Sequence, residues 1–449
     1  MSITRLQGYV LAITYVLIGL FASNQALAQN DILVLKQTLS IQDAVTIALA
    51  NNPSVAIKTA DAEAAKSRIG MAKSMTKPRL STTTFGTTGT MSNIIPGPAS
   101  VDPQGMVIVP DKGQIDQNLM AMYPLYTGGR LSGQVRGARG QYQAAASDST
   151  TAKLDVALEA KTAYRRVLLA GRFVEAYKKR TDESKERVRI AEAAFTEGRI
   201  AKYDLLRNQT ELAEAEQQLV NAQRDADIAL VDLKSAMGVS QSSEITLSDQ
   251  LAFQPAQIAL ADLESRSLQQ RPEVAAVKAR LKAAEAGVGV AKSSYKPQIY
   301  AIGMQDFVTS SGNGFDNGFT VGIAASLPII DGGQRKSTVN EAKAMLRRMQ
   351  AEEREVVLMV SRNVATAWAE LQAASKNVGL AQAAVDQAEE DYRVIKLRYE
   401  AGKATNVEVL DALASMTRAE TNYAQALFEH NVAQDRLERA VGNNTLGGK

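Results

Sequence analysis

The chain has no cysteine, one histidine, one tryptophan and only 5% aromatic residues in 449 positions. Without thiols there is no disulfide, no thiolate metal site and no cysteine nucleophile, so the fold must stand on packing alone. A lone histidine, His430, leaves an ordinary Ser-His-Asp site or a multi-histidine zinc site short of its parts. Charge of one sign is also missing: 51 Lys and Arg are interspersed with 48 Asp and Glu, and no basic block of the kind nucleic-acid binding requires stands out. Past residue 28 no run approaches ~18 consecutive apolar residues, which excludes a membrane-spanning helix and leaves a β-barrel open. What the chain has in quantity is Ala, Gln, Glu, Lys and Arg, a composition suited to long packed helices rather than a compact enzyme core.

The amino terminus sets the compartment. Arg5 precedes an apolar stretch from Tyr9 to Ala22, and Ala26-Leu27-Ala28 follows with small residues at its ends. This layout predicts a secretory signal peptide over 1–28, cleaved after Ala28. Gln29, not a cysteine, would then lead the mature chain, so lipid attachment has no acceptor and membrane association must come from the fold.

The chain is written twice. Asn52-Pro53 opens a helical stretch that ends at Lys77-Pro78, and Arg271-Pro272 opens one that ends at Lys296-Pro297, 219 positions later in each case. Further on, Tyr123-Pro124-Leu125 with Gly128-Gly129 matches Leu327-Pro328-Ile329 with Gly332-Gly333 at an offset of 204, which places a longer insert in the first copy. Gly198 and Gly402, then Gly238 and Gly442, keep that offset. The expected units are a first repeat over 29–238, a polar connector over 239–257, a second repeat over 258–442 and a polar tail over 443–449.

Each repeat reads as short helices, a β-hairpin and a long helical hairpin. Ser40 and Asp43 suit a capping box before an apolar helix face that Asn51-Asn52-Pro53 terminates. The Lys-Pro pairs stop the next helices, because proline disfavours helix for its predecessor. Hairpins follow at about 79–126 and 298–331. In the second, Phe319, Val321 and Ile323 alternate with Thr320, Gly322 and Ala324; in the first, Ile115, Gln117, Leu119 and Ala121 keep the same phase. The first hairpin also holds a longer, proline-rich turn around Ile94 to Asp111, read as an extracellular loop. Beyond each Gly-Gly pair, 130–196 and 334–400 contain no proline, and each predicts about 100 Å of helix. Return helices carry heptads at Leu205, Leu212, Leu219, Ala226 and Leu233, and at Val409, Met416, Tyr423, His430 and Leu437.

Hairpins of this kind fit a soluble core or a membrane barrel equally well when taken alone. Export, duplication and helices too long for a globular domain favour the barrel, with Ile115, Leu119, Phe319, Val321 and Ile323 facing lipid. Four strands cannot close one, since membrane barrels start at about eight, so several chains must contribute.

These residues resemble the TolC-like outer-membrane efflux family across the mature chain. The carriers are Leu39 to Ala44 with Ala48 to Pro53, the Lys-Pro exits, Tyr123-Pro124-Leu125 with Gly128-Gly129, and the Gly198 and Gly402 turns with Asp204-Leu205-Leu206 and Val409-Leu410-Asp411 after them. The resemblance implies a mainly α protomer with transmembrane β: a homotrimer gives four strands per chain to a twelve-stranded barrel, continued by a periplasmic α-helical coiled-coil barrel. It implies a passive exit duct in a tripartite efflux or type I secretion system, docked on a periplasmic adaptor and on a proton-driven or ATP-driven inner-membrane transporter. No enzyme activity and no cofactor are expected.

Carried over by position, the resemblance places a gate ring of acids at Glu408 and Asp411 and a latch at Asp204, Tyr399 and Lys403. The tips Gly198, Arg199, Gly402 and Lys403 would meet the adaptor. Where the family has an arginine after the turn this chain has Ala404, with Lys403 before it, and lysine lacks the guanidinium fork. The plain alternative for the acids is charge at the positive end of a helix dipole. His430 and Trp368, the repeat mates of Ala226 and Tyr164, read as packing residues. Met71, Met75, Met120 and Met122 offer soft thioethers to copper or silver but read first as apolar lining. The rival function is a periplasmic coiled-coil scaffold or adaptor with no membrane barrel, and an exported hydrolase lacks any nucleophile motif.

Overall fold

The structure, a computed structural model, describes residues 33–87, 93–96, 106–109, 114–253, 260–310 and 314–442. The expected signal peptide and polar tail lie outside them. Ser40 caps helix α1 (Ile41–Asn51) through the capping box with Asp43: its hydroxyl accepts the Asp43 N–H, and the Asp43 carboxylate accepts the Ser40 N–H at 3.0 Å. Asn52 ends α1 and caps α2 (Pro53–Ser74), whose first position is the proline that needs no intrahelical donor there. The Lys77-Pro78 exit then releases the chain into extended backbone, and strand β2 (Arg79–Thr87) begins; β1 (Lys36–Leu39) precedes α1.

The two repeats merge in one sheet. β2 pairs antiparallel with β5 (Gln114–Tyr126), β5 with β7 (Gln298–Ser310) and β7 with β8 (Gly314–Ser326), in the order β2-β5-β7-β8. β2 and β8 are left as its edges. The expected loop of the first hairpin is partly bridged: β3 (Asn93–Pro96) and β4 (Met106–Val109) pair antiparallel, Pro96 standing at the end of the ladder where its missing N–H costs least. The rest of that turn lies outside the described residues.

Long helices α3 (Arg130–Thr196) and α7 (Gln334–Glu400) follow the sheet, 67 residues each, with the bounds the sequence predicts. They return as α4 (Lys202–Met237) and α8 (Asn406–Val441). The leucine heptad is half of the seam. Leu205, Leu212 and Leu219 are half-buried, whereas the fully buried line lies three residues on, at Asn208, Ala215, Ala222, Ala229 and Ala236. Repeat two has the same line at Ala412, Ala419, Ala426, Ala433 and Ala440. A methyl group every seventh residue lets the paired helices approach closely while the larger heptad residues flank the contact.

Near the sheet the helices run in the order α2-α3-α6-α7, with α6 (Pro272–Ser293) the second copy of α2 and α5 (Leu260–Gln270) leading it. The α3 to α6 contact depends on glycine. A Cβ at Gly133 would stand 2.7 Å from Val290 Cγ2, and one at Gly140 2.8 Å from the Ala279 carbonyl oxygen.

The connector differs from its expected featureless form. It contains β6 (Glu244–Leu247), parallel to β1, with the Thr38 and Thr246 hydroxyls 2.7 Å apart. Tyr164, completely buried, donates its hydroxyl to the Leu39 carbonyl at 2.8 Å and so anchors this strand pair to α3. Its mate Trp368 packs in the α5, α7 and α8 cluster. Past β6, Asn431 donates to the Ala252 carbonyl at 3.1 Å, and the buried His430 ring lies 4.7 Å from that of Phe253.

Beside this anchor is a buried ionic clip between α3 and α8. Lys161 reaches Glu438 at 2.7 Å and Asp435 at 3.4 Å, and Arg165 reaches Asp435 at 2.6 Å. Burial pushes the Glu438 carboxyl above its ordinary pKa in spite of Lys161. Burial, with the Arg165 cation near it, holds the His430 imidazole below its ordinary 6.5. Two outcomes follow for detergent-purified protein. Asp435→Ala leaves the nearly buried Arg165 without its carboxylate and Lys161 with Glu438 alone, and should cost about 3–5 kcal/mol in unfolding, against a change within about 0.5 kcal/mol for the half-exposed repeat mate Val231→Ala. Because the folded histidine binds its proton later than the unfolded one, its contribution is lost as pH falls below about 6.5. His430→Leu should therefore show a smaller fall in Tm than the natural chain between about pH 7.5 and pH 5.5; equal falls would contradict the assignment.

Candidate functional site

At the far end of the helical hairpins from the sheet, both tips are built alike. Gly198 and Gly402 take φ of +73° and +72°, the left-handed conformation that costs glycine least. The N–H of Arg199 donates to the Ala194 carbonyl and that of Lys403 to the Arg398 carbonyl, each at 2.8 Å. With Gly198 bonded to Phe195 and Gly402 to Tyr399, each tip is a Schellman turn. Neither glycine has a neighbour within 4 Å of a Cβ position, so both tips are open to a partner.

The helices that leave the tips start differently. Thr405 caps α8, its hydroxyl accepting the Glu408 N–H at 3.3 Å while the Glu408 carboxylate accepts the Thr405 N–H at 2.7 Å. Glu408, one of the two expected ring acids, is thus also the return arm of a capping box, and Thr405-Asn406-Val407-Glu408 spells that motif in the sequence. The first tip has Ala201 at the cap position, so Asp204, the repeat mate of Glu408, has no hydroxyl to pair with. Asp411 lies one turn along the exposed face from Glu408.

Among the described residues, no hydrogen bond or ion pair joins Asp204, Tyr399 and Lys403 within one chain. Tyr399 packs on the Tyr392, Val409 and Leu413 cluster, and the Lys403 carbonyl accepts from Arg398 at 3.3 Å. The contact that does cross between the hairpins lies farther from the tips. Tyr392 of α7 donates its hydroxyl to Glu183 of α3 at 2.8 Å, and Lys396 reaches the same carboxylate oxygen at 3.4 Å. Burial and Glu183 together push the Tyr392 hydroxyl above its ordinary pKa. One turn further, Lys179 meets Glu420 of α8 at 2.6 Å. Burial works against the Lys179 charge, but Glu420, Glu389 and Glu183 more than offset it and leave its pKa raised. Sequence reasoning missed this clasp, because no local pattern says which faces of two separate hairpins meet.

At the other end, the register gathers Leu119, Phe319, Val321 and Ile323 on one face of the sheet, and Ile115 holds a position on the same face. Phe319, Val321 and Ile323 are 72%, 69% and 72% exposed, an apolar surface with nothing over it in the single chain. The opposite face carries Ser81, Asn118, Asp306 and Thr320, and Asn118 donates to Asp306 across β5 and β7.

An outer membrane efflux protein family model matches residues 44–239 and 263–443. The toluene efflux pump outer membrane protein TtgF of Pseudomonas putida is 23% identical over 90% of this chain and 83% of its own length. Outer membrane protein OprJ of Pseudomonas aeruginosa is 27% identical over 41% of this chain and 40% of that protein. Among solved structures, the Campylobacter jejuni CmeC outer membrane channel has the same fold, with a TM-score of 0.77 at 19% identity over 90% of this chain and 85% of that one. Two hairpin repeats merged in one four-stranded sheet, with a family match over most of the chain, make this protein a member of the outer membrane efflux protein family.

Proposed function

We propose that the chain is the outer-membrane channel of a tripartite efflux or type I secretion system, a passive duct of three copies docked on a periplasmic adaptor and an inner-membrane transporter. The observation that carries this reading is a break in internal symmetry. In the first repeat, Gly128 lies against α6, where a Cβ would come 2.7 Å from Lys296 Cβ; its mate Gly332, with the same φ of +61°, has nothing within 4 Å. The second repeat therefore has the shape of a packed surface but no partner within its own chain. The partner that fits is α2 of another copy, because α2 is the repeat mate of α6.

The same argument applies to the strands. Two edges and four strands call for more copies, and three give the twelve strands that the family resemblance implies, with Phe319, Val321 and Ile323 toward lipid. A scaffold or adaptor without a barrel would leave that apolar face in water. The tips at Gly198, Arg199, Gly402 and Lys403 then form the surface offered to the adaptor. Asp411 and Glu408 line the entrance as repeated carboxylates that favour cations. The Tyr392 to Glu183 clasp takes the place of the family latch in holding one chain's hairpins together.

The absence of cysteine makes the assembly easy to test. The Gly133 to Val290 contact within the chain maps by repeat onto Ser337 and Met71 between copies, and Met71 is 64% exposed in the single chain. A Met71→Cys, Ser337→Cys double variant should form oxidant-dependent trimers on denaturing gels, whereas each single variant should not. Monomer only, or crosslinks within one chain, would overturn the arrangement. For the gate, Glu408→Gln removes charge but keeps a capping-box partner, and combined with Asp411→Ala it should move the reversal potential in a salt gradient toward zero in planar bilayers. An unmoved reversal potential excludes these acids from the conduction path.

A further inference from the structure

One group of side chains departs from the pattern of its own surface. The register sets Met120 of β5 directly opposite Met304 of β7, and Met122 lies two residues along β5 on the same face. This face also holds Ser81, Asn118, Asp306 and Thr320, the side away from Phe319, Val321 and Ile323. On the reading proposed above it lines the water-filled duct, where strands alternate apolar outward and polar inward. Ile302, opposite Met122, lies on this face as well, so the patch holds four long apolar side chains, and three of the four are thioethers.

Thioether chemistry supplies a reason for that composition. Directly opposed residues of an antiparallel pair have Cβ atoms about 4.5–5.5 Å apart and diagonal ones about 7–8 Å, distances that unbranched methionines span with three rotatable bonds. The three sulfurs can therefore close on one ion. Space beside them is left open by β8, which places Thr320 opposite Met304 and Gly322 opposite Ile302; a Cβ at Gly322 would meet nothing within 4 Å. Met120 and Met304 are half-buried and Met122 is exposed, so the patch is reachable from solvent. Asp306 lies on the rung beyond Met304, while Arg79 stands opposite Met122 and limits the site on that side. Neutral sulfur donors select soft d10 monovalent ions over zinc, magnesium or calcium.

We propose that Met120, Met122 and Met304 form a thioether site for a soft monovalent metal ion, Cu(I) or Ag(I), on the inner wall of the duct, one per chain. Coordination is reversible, with no change of oxidation state. The site rests on the duct reading for its access but not for its assembly, since all three residues are brought together within a single chain.

The test uses the full-length protein in detergent, titrated with silver nitrate in chloride-free buffer and followed by calorimetry and by the methyl resonances of 13C-methionine. One saturable silver ion per chain is expected, with shifts at the three named methyls. Met120→Leu with Met304→Leu, a swap that conserves volume, should abolish the saturable phase. Met75→Leu with Met345→Leu, on the helices, should leave it intact. No saturable binding, or binding undiminished in the Met120 and Met304 variant, overturns the proposal. Conductance of the same samples in planar bilayers reports the duct separately: silver binding without conductance would sink the duct and keep the site, and conductance without silver binding would do the reverse.

Discussion

Backbone groups at a sheet edge must find partners, and in hydrocarbon each one left alone costs several kcal/mol. β2 and β8 present two such edges, and the strands between them bear an apolar face. Neither can be satisfied by the chain itself. On the proposed reading, the need to pair those edges in lipid accounts for the rest: several copies, a closed ring, and helices that continue the ring below the sheet. The duplication suits such closure, because α3 and α6 already solve within the chain the packing problem that α7 and α2 of another copy would face.

The two solutions are not equivalent. Within one chain α3 is clipped to α8 by Lys161, Arg165, Asp435 and Glu438, all in buried or nearly buried positions. The repeat mates of these residues are Ala365, Ala369, Val231 and Lys234, which form no comparable network. The seam inside a chain is thus held by oriented charge, whereas in the assembly proposed above the corresponding seam between copies has Ala365, Ala369 and Val231 in place of the ions, and Lys234 is already bonded to the Gln241 carbonyl of its own chain. A seam of the second kind slides at lower cost, since no buried ion pair must be broken.

Much of this was legible in the sequence, and the limits have physical causes. The 67-residue helices announced both ends, because Gly-Gly pairs and Schellman glycines are local signals. So was the first capping box at Ser40; the second, at Thr405, was equally readable but was overshadowed by the acidic reading of Glu408. The alanine seam stayed hidden because alanine is abundant on every face of these helices and carries no periodic contrast. β1 and β6 were not legible at all: four residues each, paired across a separation of 208 positions, leave no pattern in a local window. The Tyr392 to Glu183 clasp is of the same long-range kind. Met304 carries no local signal in the sequence, and only the register sets it against Met120.

The matching Schellman turns at Gly198 and Gly402 have one more implication. A threefold assembly of two-tipped chains has a rim of six stations that are alike in backbone and differ in side chain, Arg199 at one and Lys403 at the next. A binding protein that grips main-chain shape encounters sixfold symmetry there, while one that discriminates guanidinium from ammonium encounters only threefold. On the proposed reading, the stoichiometry of docking is thereby set by the chemistry of the adaptor's grip.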